Sequence, residues 1–116
     1  MPEPPHTIAE TKACIARADK LLSLAEREEV VYLIASNPTA GVLIQGTGGI
    51  RKLRFGLQGR GKSGGVRVIY FLHDQAMPIY LLALFAKNEK ADLTMTERLA
   101  LRQLTTRLVA AYRGKK

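Results

Sequence analysis

Two seven-residue runs constrain the fold of this chain more than any other feature: VRVIYFL at residues 66–72 and IYLLALF at 79–85. Each is apolar at both odd and even positions, which a strand needs when both of its faces are covered. The six residues between them, HDQAMP, read as a turn, so the two runs are expected to pair antiparallel. Before them the period is different. Residues 12–22 place Cys14, Ile15, Ala18, Leu21 and Leu22 at helical spacing. Ser23 and Glu26 have the S-x-x-E form of a capping box, which opens a second helix through Val30, Leu33 and Ile34. Proline disfavours helix in the residue before it, so Asn37-Pro38 ends that helix.

A glycine-rich link over residues 41–49 leads to IRKLRF at 50–55. Leu53 and Phe55 fall on one face there, Lys52 and Arg54 on the other, the alternation of a strand. Residues 6–11 are a candidate first strand. Thr94 and Glu97 repeat the capping box before a last helix carrying Leu101, Leu104, Leu108 and Tyr112 on one stripe, with Gly114 as its stop. The expected class is α+β: a small antiparallel meander with two N-terminal helices packed on it and a C-terminal helix. A length of 116 residues fits one domain, residues 1–116, with a single core of two layers and a flexible start at 1–5. At 47% hydrophobic and 24% charged the chain is globular in composition rather than disordered.

The connection between the first two long strands, GLQGRGKSGG at 56–65, fits G-x-x-x-x-G-K-[ST] from Gly56 to Ser63. That is the pattern of a nucleotide-binding phosphate loop. Such a loop works because its glycines lead straight into a helix whose N-terminus faces the phosphates. Here Gly64-Gly65 lead into β-branched and aromatic residues, so a strand follows and the required context is absent. The segment is expected to be a hairpin loop carrying Arg60 and Lys62.

Eighteen Lys and Arg against ten Asp and Glu give a net charge of +8, and the distribution is uneven. Between residues 46 and 73 stand Arg51, Lys52, Arg54, Arg60, Lys62 and Arg67, with no acid among them. Hairpin geometry brings Arg54 beside Arg67, and the next strand returns Lys87 and Asn88 to the same end. Basic residues therefore converge on one sheet edge, as phosphate recognition requires. The longest apolar run, residues 79–86, is far below the roughly 18 residues that span a bilayer, so no membrane partner is expected. MPEPPHTIAE lacks the basic head and apolar stretch of a signal peptide. Lone Cys14 forms no internal disulfide, and both points agree with a cytoplasmic location. His73 is expected at the far end of its strand from Arg67, and His6 in a proline-rich tail, so no two-histidine ribonuclease site is expected.

GTGGIRKLRF, GRGKSGGVRVIYF and the IYLL…FAKNEKADLT segment together resemble the RelE/ParE toxin superfamily of type II toxin–antitoxin modules, most closely its RelE/HigB branch. The resemblance covers about residues 6–112. It implies a ribosome-dependent mRNA endoribonuclease in which a ribose 2′-hydroxyl attacks the adjacent phosphate, without a metal or cofactor. By position it assigns catalytic roles to Lys52, Arg54, Arg67 and Lys87, with Arg67 on the transition-state charge. RNA or phosphate contacts fall to Arg51, Arg60, Lys62, Asn88 and Lys90. It also implies a cognate antitoxin of helix-turn-helix type, contact with operator DNA only through that antitoxin, and the ribosome and mRNA as partners. Some RelE toxins carry a further arginine where this chain has Asn88 and a tyrosine where it has Thr94; either Lys90, Arg60 or Lys62 takes over part of that work, or cleavage is slower or differently specific. Two other readings of the same residues are a ParE-like toxin acting on DNA gyrase without nuclease activity, and a non-catalytic basic nucleic-acid-binding domain.

Overall fold

In the computed structural model, which describes residues 7–56, 65–74, 76–86 and 93–114, the chain begins with β1 (Ile8–Glu10). It continues through α1 (Lys12–Leu21), α2 (Leu24–Ser36), β2 (Val42–Leu43), β3 (Ile50–Phe55), β4 (Val66–Phe71), β5 (Ile79–Ala86) and α3 (Met95–Gly114). The sheet order is β1-β5-β4-β3-β2. The expected antiparallel meander is its centre, since β3 pairs with β4 and β4 with β5 in that sense.

Both edges differ from the expectation. β1 joins β5 in parallel, Ile8 opposite Ile79, because the α1–α2 hairpin separates it from every other strand. Thr11 fixes that junction: its hydroxyl donates to the Leu81 carbonyl (2.9 Å) while accepting from the Cys14 N–H as the N-cap of α1. The short β2 lies inside the glycine-rich link and pairs Val42 with Lys52.

Each helix start follows its sequence signal. Ser23 and Glu26 form the reciprocal capping box at 3.1 and 2.8 Å, and Thr94 and Glu97 repeat it at the same distances. Each such cap contributes about 1 kcal/mol. α2 stops at Ser36, with the Asn37 N–H bonded to the Leu33 carbonyl just before Pro38.

The single two-layered core is replaced by two cores. Cys14 and Ala18 of α1 and Val30 and Ile34 of α2 pack against Leu53, Val68, Tyr70 and Leu81 on one face of the sheet. On the other face, Leu101, Leu104 and Leu108 of α3 pack against Ile50, Ile69, Phe71, Leu82 and Phe85. Val68, Ile69 and Tyr70 are consecutive and each has 0% exposure, which requires cover on both sides. The sheet is thus the middle of three layers. A bulge on β5 supports this. Ile69 faces Ala83 but Tyr70 faces Leu81, so Leu82 and Ala83 both turn towards α3. Among the described residues, no helix is long and apolar enough to cross a membrane.

Candidate functional site

The β3–β4 hairpin sets Arg54 directly opposite Arg67, and β5 sets Phe85 on the other side of Arg67. Alternation along the strands then fixes the faces. Ile50 belongs to the α3-side core, so Lys52 and Arg54 share that side; Ile69 and Phe71 carry Arg67 with them. Lys52 stands opposite Ile69, diagonal to Arg67. Lys52, Arg54 and Arg67 therefore gather at one end of the α3-side face, as hairpin geometry predicted.

Two like charges face each other directly at this end. Like charges directly opposite each other on paired strands are destabilising, by roughly 0.2–1 kcal/mol. The Nε of Arg67 is buried and has no hydrogen-bond partner among the described residues. A buried donor left without a partner costs about 1–3 kcal/mol. A phosphate oxygen would remove both penalties, because it accepts from guanidinium N–H groups and cancels the repulsion.

Arg60, Lys62, Lys87, Asn88 and Lys90 lie outside the described residues. The two segments that carry them leave the described sheet at this same end: Phe55 pairs with Val66 across the hairpin, and Ala86 pairs with Val66 where β5 finishes. The antiparallel Phe55–Val66 pairing also removes the phosphate-loop context from the glycine-rich pattern, since a strand and not a helix follows it. Thr94 caps α3, as its position in the sequence suggested. Among the described residues, no group of three His, Cys, Asp or Glu side chains is arranged to hold a metal ion.

Arg51 is separated from the others. It shares a face with Leu53 and Phe55, towards α1 and α2, and its Nη1 donates to the Gly41 carbonyl at 2.8 Å. Opposite it stands Tyr70, whose hydroxyl donates to the Pro38 carbonyl (2.6 Å) and accepts from the Gly41 N–H (2.9 Å). Burial pushes the Tyr70 phenol above its ordinary pKa, while the Gly41 N–H and the Arg51 guanidinium pull it back. A Cβ at Gly41 would lie 2.8 Å from the Tyr70 hydroxyl, so a larger residue there would have to displace the bonded phenol. Arg51 and Tyr70 thus hold the α2–β2 connection, and strand parity was the signal that could have set Arg51 apart. The Tyr70 hydroxyl left no signal, being one polar atom inside an apolar run. His73 follows the far end of β4, away from Arg67 as expected, with its Nε2 3.7 Å from the Asp74 carboxylate.

Comparison with known proteins agrees with this architecture. A solved structure of the E. coli toxin RelE, a double arginine-to-alanine mutant in the free state, matches with a TM-score of 0.54 at 15% identity, covering 74% of this chain and 87% of that one. At that identity the likeness shows a shared fold. A family model described as the RelE toxin of the RelE/RelB toxin–antitoxin system matches residues 36–115, a span that includes β2 to β5, α3 and the whole basic end. That match takes in well over half of the sequence, and the chain belongs to the RelE toxin family.

Proposed function

We propose that this toxin is an endoribonuclease that cuts messenger RNA on the ribosome and so stops translation. The observation that carries this reading is the Arg54–Arg67 pair, with one buried guanidinium N–H lacking a partner among the described residues. Cleavage of an RNA strand by its own 2′-hydroxyl forms a bond from the 2′ oxygen to phosphorus and breaks the bond to the 5′ oxygen. The products are a 2′,3′-cyclic phosphate and a 5′-hydroxyl. The 2′ oxygen gives up a proton and the departing 5′ oxygen takes one. Such a step needs in-line positioning and stabilisation of the extra negative charge on phosphorus.

Arg67, held between β3 and β5, stabilises that charge, and Arg54 clamps the phosphate from the neighbouring strand. Lys52 and Lys87 serve the proton transfers or the clamp, with Arg60, Lys62, Asn88 and Lys90 as further RNA contacts. Messenger and ribosome are the partners in the cytoplasm. A cognate antitoxin of helix-turn-helix type would restrain the toxin and carry the complex to operator DNA.

The test is Arg67→Ala in a translating system, with cut sites mapped by primer extension. Cleavage is expected to fall by about 10²-fold or more, the usual loss on removing one transition-state donor, while ribosome binding persists. Undiminished cleavage overturns the assignment. Inhibition of DNA gyrase by the wild type without RNA cleavage would replace it with the ParE-like reading.

A further inference from the structure

At the far end of the same sheet face, about 13 Å along β4 from Arg67 to the lining residue Phe71 by the rise of roughly 3.3 Å per strand residue, lies a cavity of about 420 Å³. That is the size of a small-molecule site. Phe71 and Val109 give it an apolar floor, and His73, Arg102, Thr106 and Arg113 line it with cationic and hydroxyl groups. No acid lines it. Asp74 adjoins the rim: its Oδ1 accepts the N–H groups of Ala76 and Met77, and its Oδ2 lies 3.7 Å from Nε2 of His73.

Polar bonds from three elements hold the walls. Thr47, 2% exposed, donates through its hydroxyl to the Ile44 carbonyl and accepts from the Ile50 N–H, which fixes the glycine-rich turn. That turn is tied to the end of β4 by the Leu72 N–H on the Gly49 carbonyl (3.1 Å), and to α3 by Arg102 Nη1 on the Gly46 carbonyl (2.8 Å). Gly49 sits at φ +127°, and a Cβ there would be 2.6 Å from the Leu72 carbonyl oxygen. A wall needing that conformation at that approach admits only glycine. The hollow is therefore built and preorganised rather than left by loose packing.

The chemistry of the lining selects its occupant. Phe71 is 1% exposed and closes the floor, and the His73 ring, 6.0 Å from it at 30°, is the open aromatic face on which a planar ring can stack. Arg113, in the last turn of α3, is exposed and has no carboxylate partner among the described residues. Arg102 keeps donors beyond the one on Gly46. We infer that this cavity binds a nucleoside monophosphate unit, its base on the His73 ring and its phosphate on Arg113 and Arg102. The unit is either a free nucleotide or one unstacked nucleotide of an RNA strand. Only the second source rests on the endoribonuclease reading.

The experiment is titration of the full chain with 5′-AMP and 5′-UMP, followed by backbone amide shifts. Saturable shifts are expected at Phe71, His73 and residues 46–49. Affinity should fall at least about tenfold in Arg113→Glu, the loss of one charge-assisted contact. His73→Ala, on the opposite wall, should weaken binding in the same direction. Ribose 5-phosphate and adenosine, each with half of the recognised chemistry, should bind more weakly than AMP. A 2′-O-methylated heptanucleotide separates the sources. Binding well above that of AMP and lowered by Arg113→Glu assigns an RNA nucleotide; equal affinity assigns a free one.

Arg67→Ala keeps the two sites distinguishable. AMP binding retained there and lost in Arg113→Glu supports the cavity whatever becomes of nuclease activity. AMP binding lost in Arg67→Ala and intact in Arg113→Glu and His73→Ala overturns it while leaving the RNA reading standing. Preferential binding of a glutamate-rich peptide at these residues, with both nucleotides inert, overturns it in favour of a protein partner.

Discussion

Arg51 and Arg67 lie on neighbouring strands, on opposite faces of one sheet, and their surroundings are opposite too. On the α1–α2 side, Arg51 donates to the Gly41 carbonyl and stands across from Tyr70, whose hydroxyl is bonded both as donor and as acceptor. On the α3 side, Arg67 faces another arginine and keeps a buried N–H without a partner among the described residues. On the function proposed above, the same side chain is a structural fastener in one place and an anion receptor in the other. What separates them is the inventory of partners, not residue type or position in the chain.

The largest test of that contrast is activity. Arg67→Ala should lower RNA cleavage by about 10²–10³-fold, with a urea denaturation midpoint that does not fall, since the change also relieves the repulsion from Arg54. A midpoint that falls together with activity would make Arg67 a second fastener and erase the difference between the faces.

Next comes pH, which probes the α1–α2 side. Cys14 is buried in that core, and burial first, with the Glu10 carboxylate second, raises its thiol from 9.0 to about 11 against the opposing pull of Arg27. A folded-state pKa above the unfolded value gives stability that is complete below pH 9 and is lost as pH rises through about 11. The loss is about 2–3 kcal/mol, two pKa units at 1.36 kcal/mol each. Burial raises the Tyr70 phenol as well, so its loss runs in the same direction. Denaturation midpoints of wild type and Cys14→Ala should converge between pH 9 and 11. Parallel curves would show that the thiol ionises without opposition, and that this core is wetter than its packing implies.

Tyr70→Phe should cost about 1–3 kcal/mol, because it leaves the Pro38 carbonyl and the Gly41 N–H without their partner. Cleavage by the surviving folded fraction should match wild type. A selective loss of cleavage would mean that the fastening on one face sets the geometry of the other.

Much of this contrast was legible before the structure. The capping boxes at Ser23 and Thr94 and the two-sided apolar runs placed α2, α3, β4 and β5, because their signals are local. Alternation in IRKLRF assigned Lys52 and Arg54 to one face, and the same rule assigns Arg51 to the other. The grouping of all basic residues by charge overlooked that. β1 was foreseen as a strand, but its parallel partner depends on where a helical hairpin returns the chain, which no local pattern encodes. β2 spans two residues, too few for any period to register. The far cavity joins Thr47, His73 and Arg102 from three distant segments. Each reads alone as an ordinary loop or helix residue, and only the tertiary bonds from Arg102 to Gly46 and from Leu72 to Gly49 assemble them.

The smallest effect is the most specific. Arg54 is exposed and opposes Arg67 across the ladder. Removing its charge in Arg54→Ala should stabilise the fold by roughly 0.2–1 kcal/mol, the size of a cross-strand like-charge term. Salt identifies the origin of such a gain. The screening length shortens from about 10 Å at 0.1 M to about 3 Å at 1 M, so the gain should shrink at high ionic strength if repulsion is its cause. The same change in Arg51→Ala should destabilise, since it removes the bond to Gly41 and relieves no repulsion. Opposite signs for two arginine-to-alanine changes on one strand, one salt-dependent and the other not, are what a receptor face and a fastened face require. A destabilised Arg54→Ala would mean that the arginine pair is held by contacts of its own, and a bound phosphate would no longer be needed to account for it.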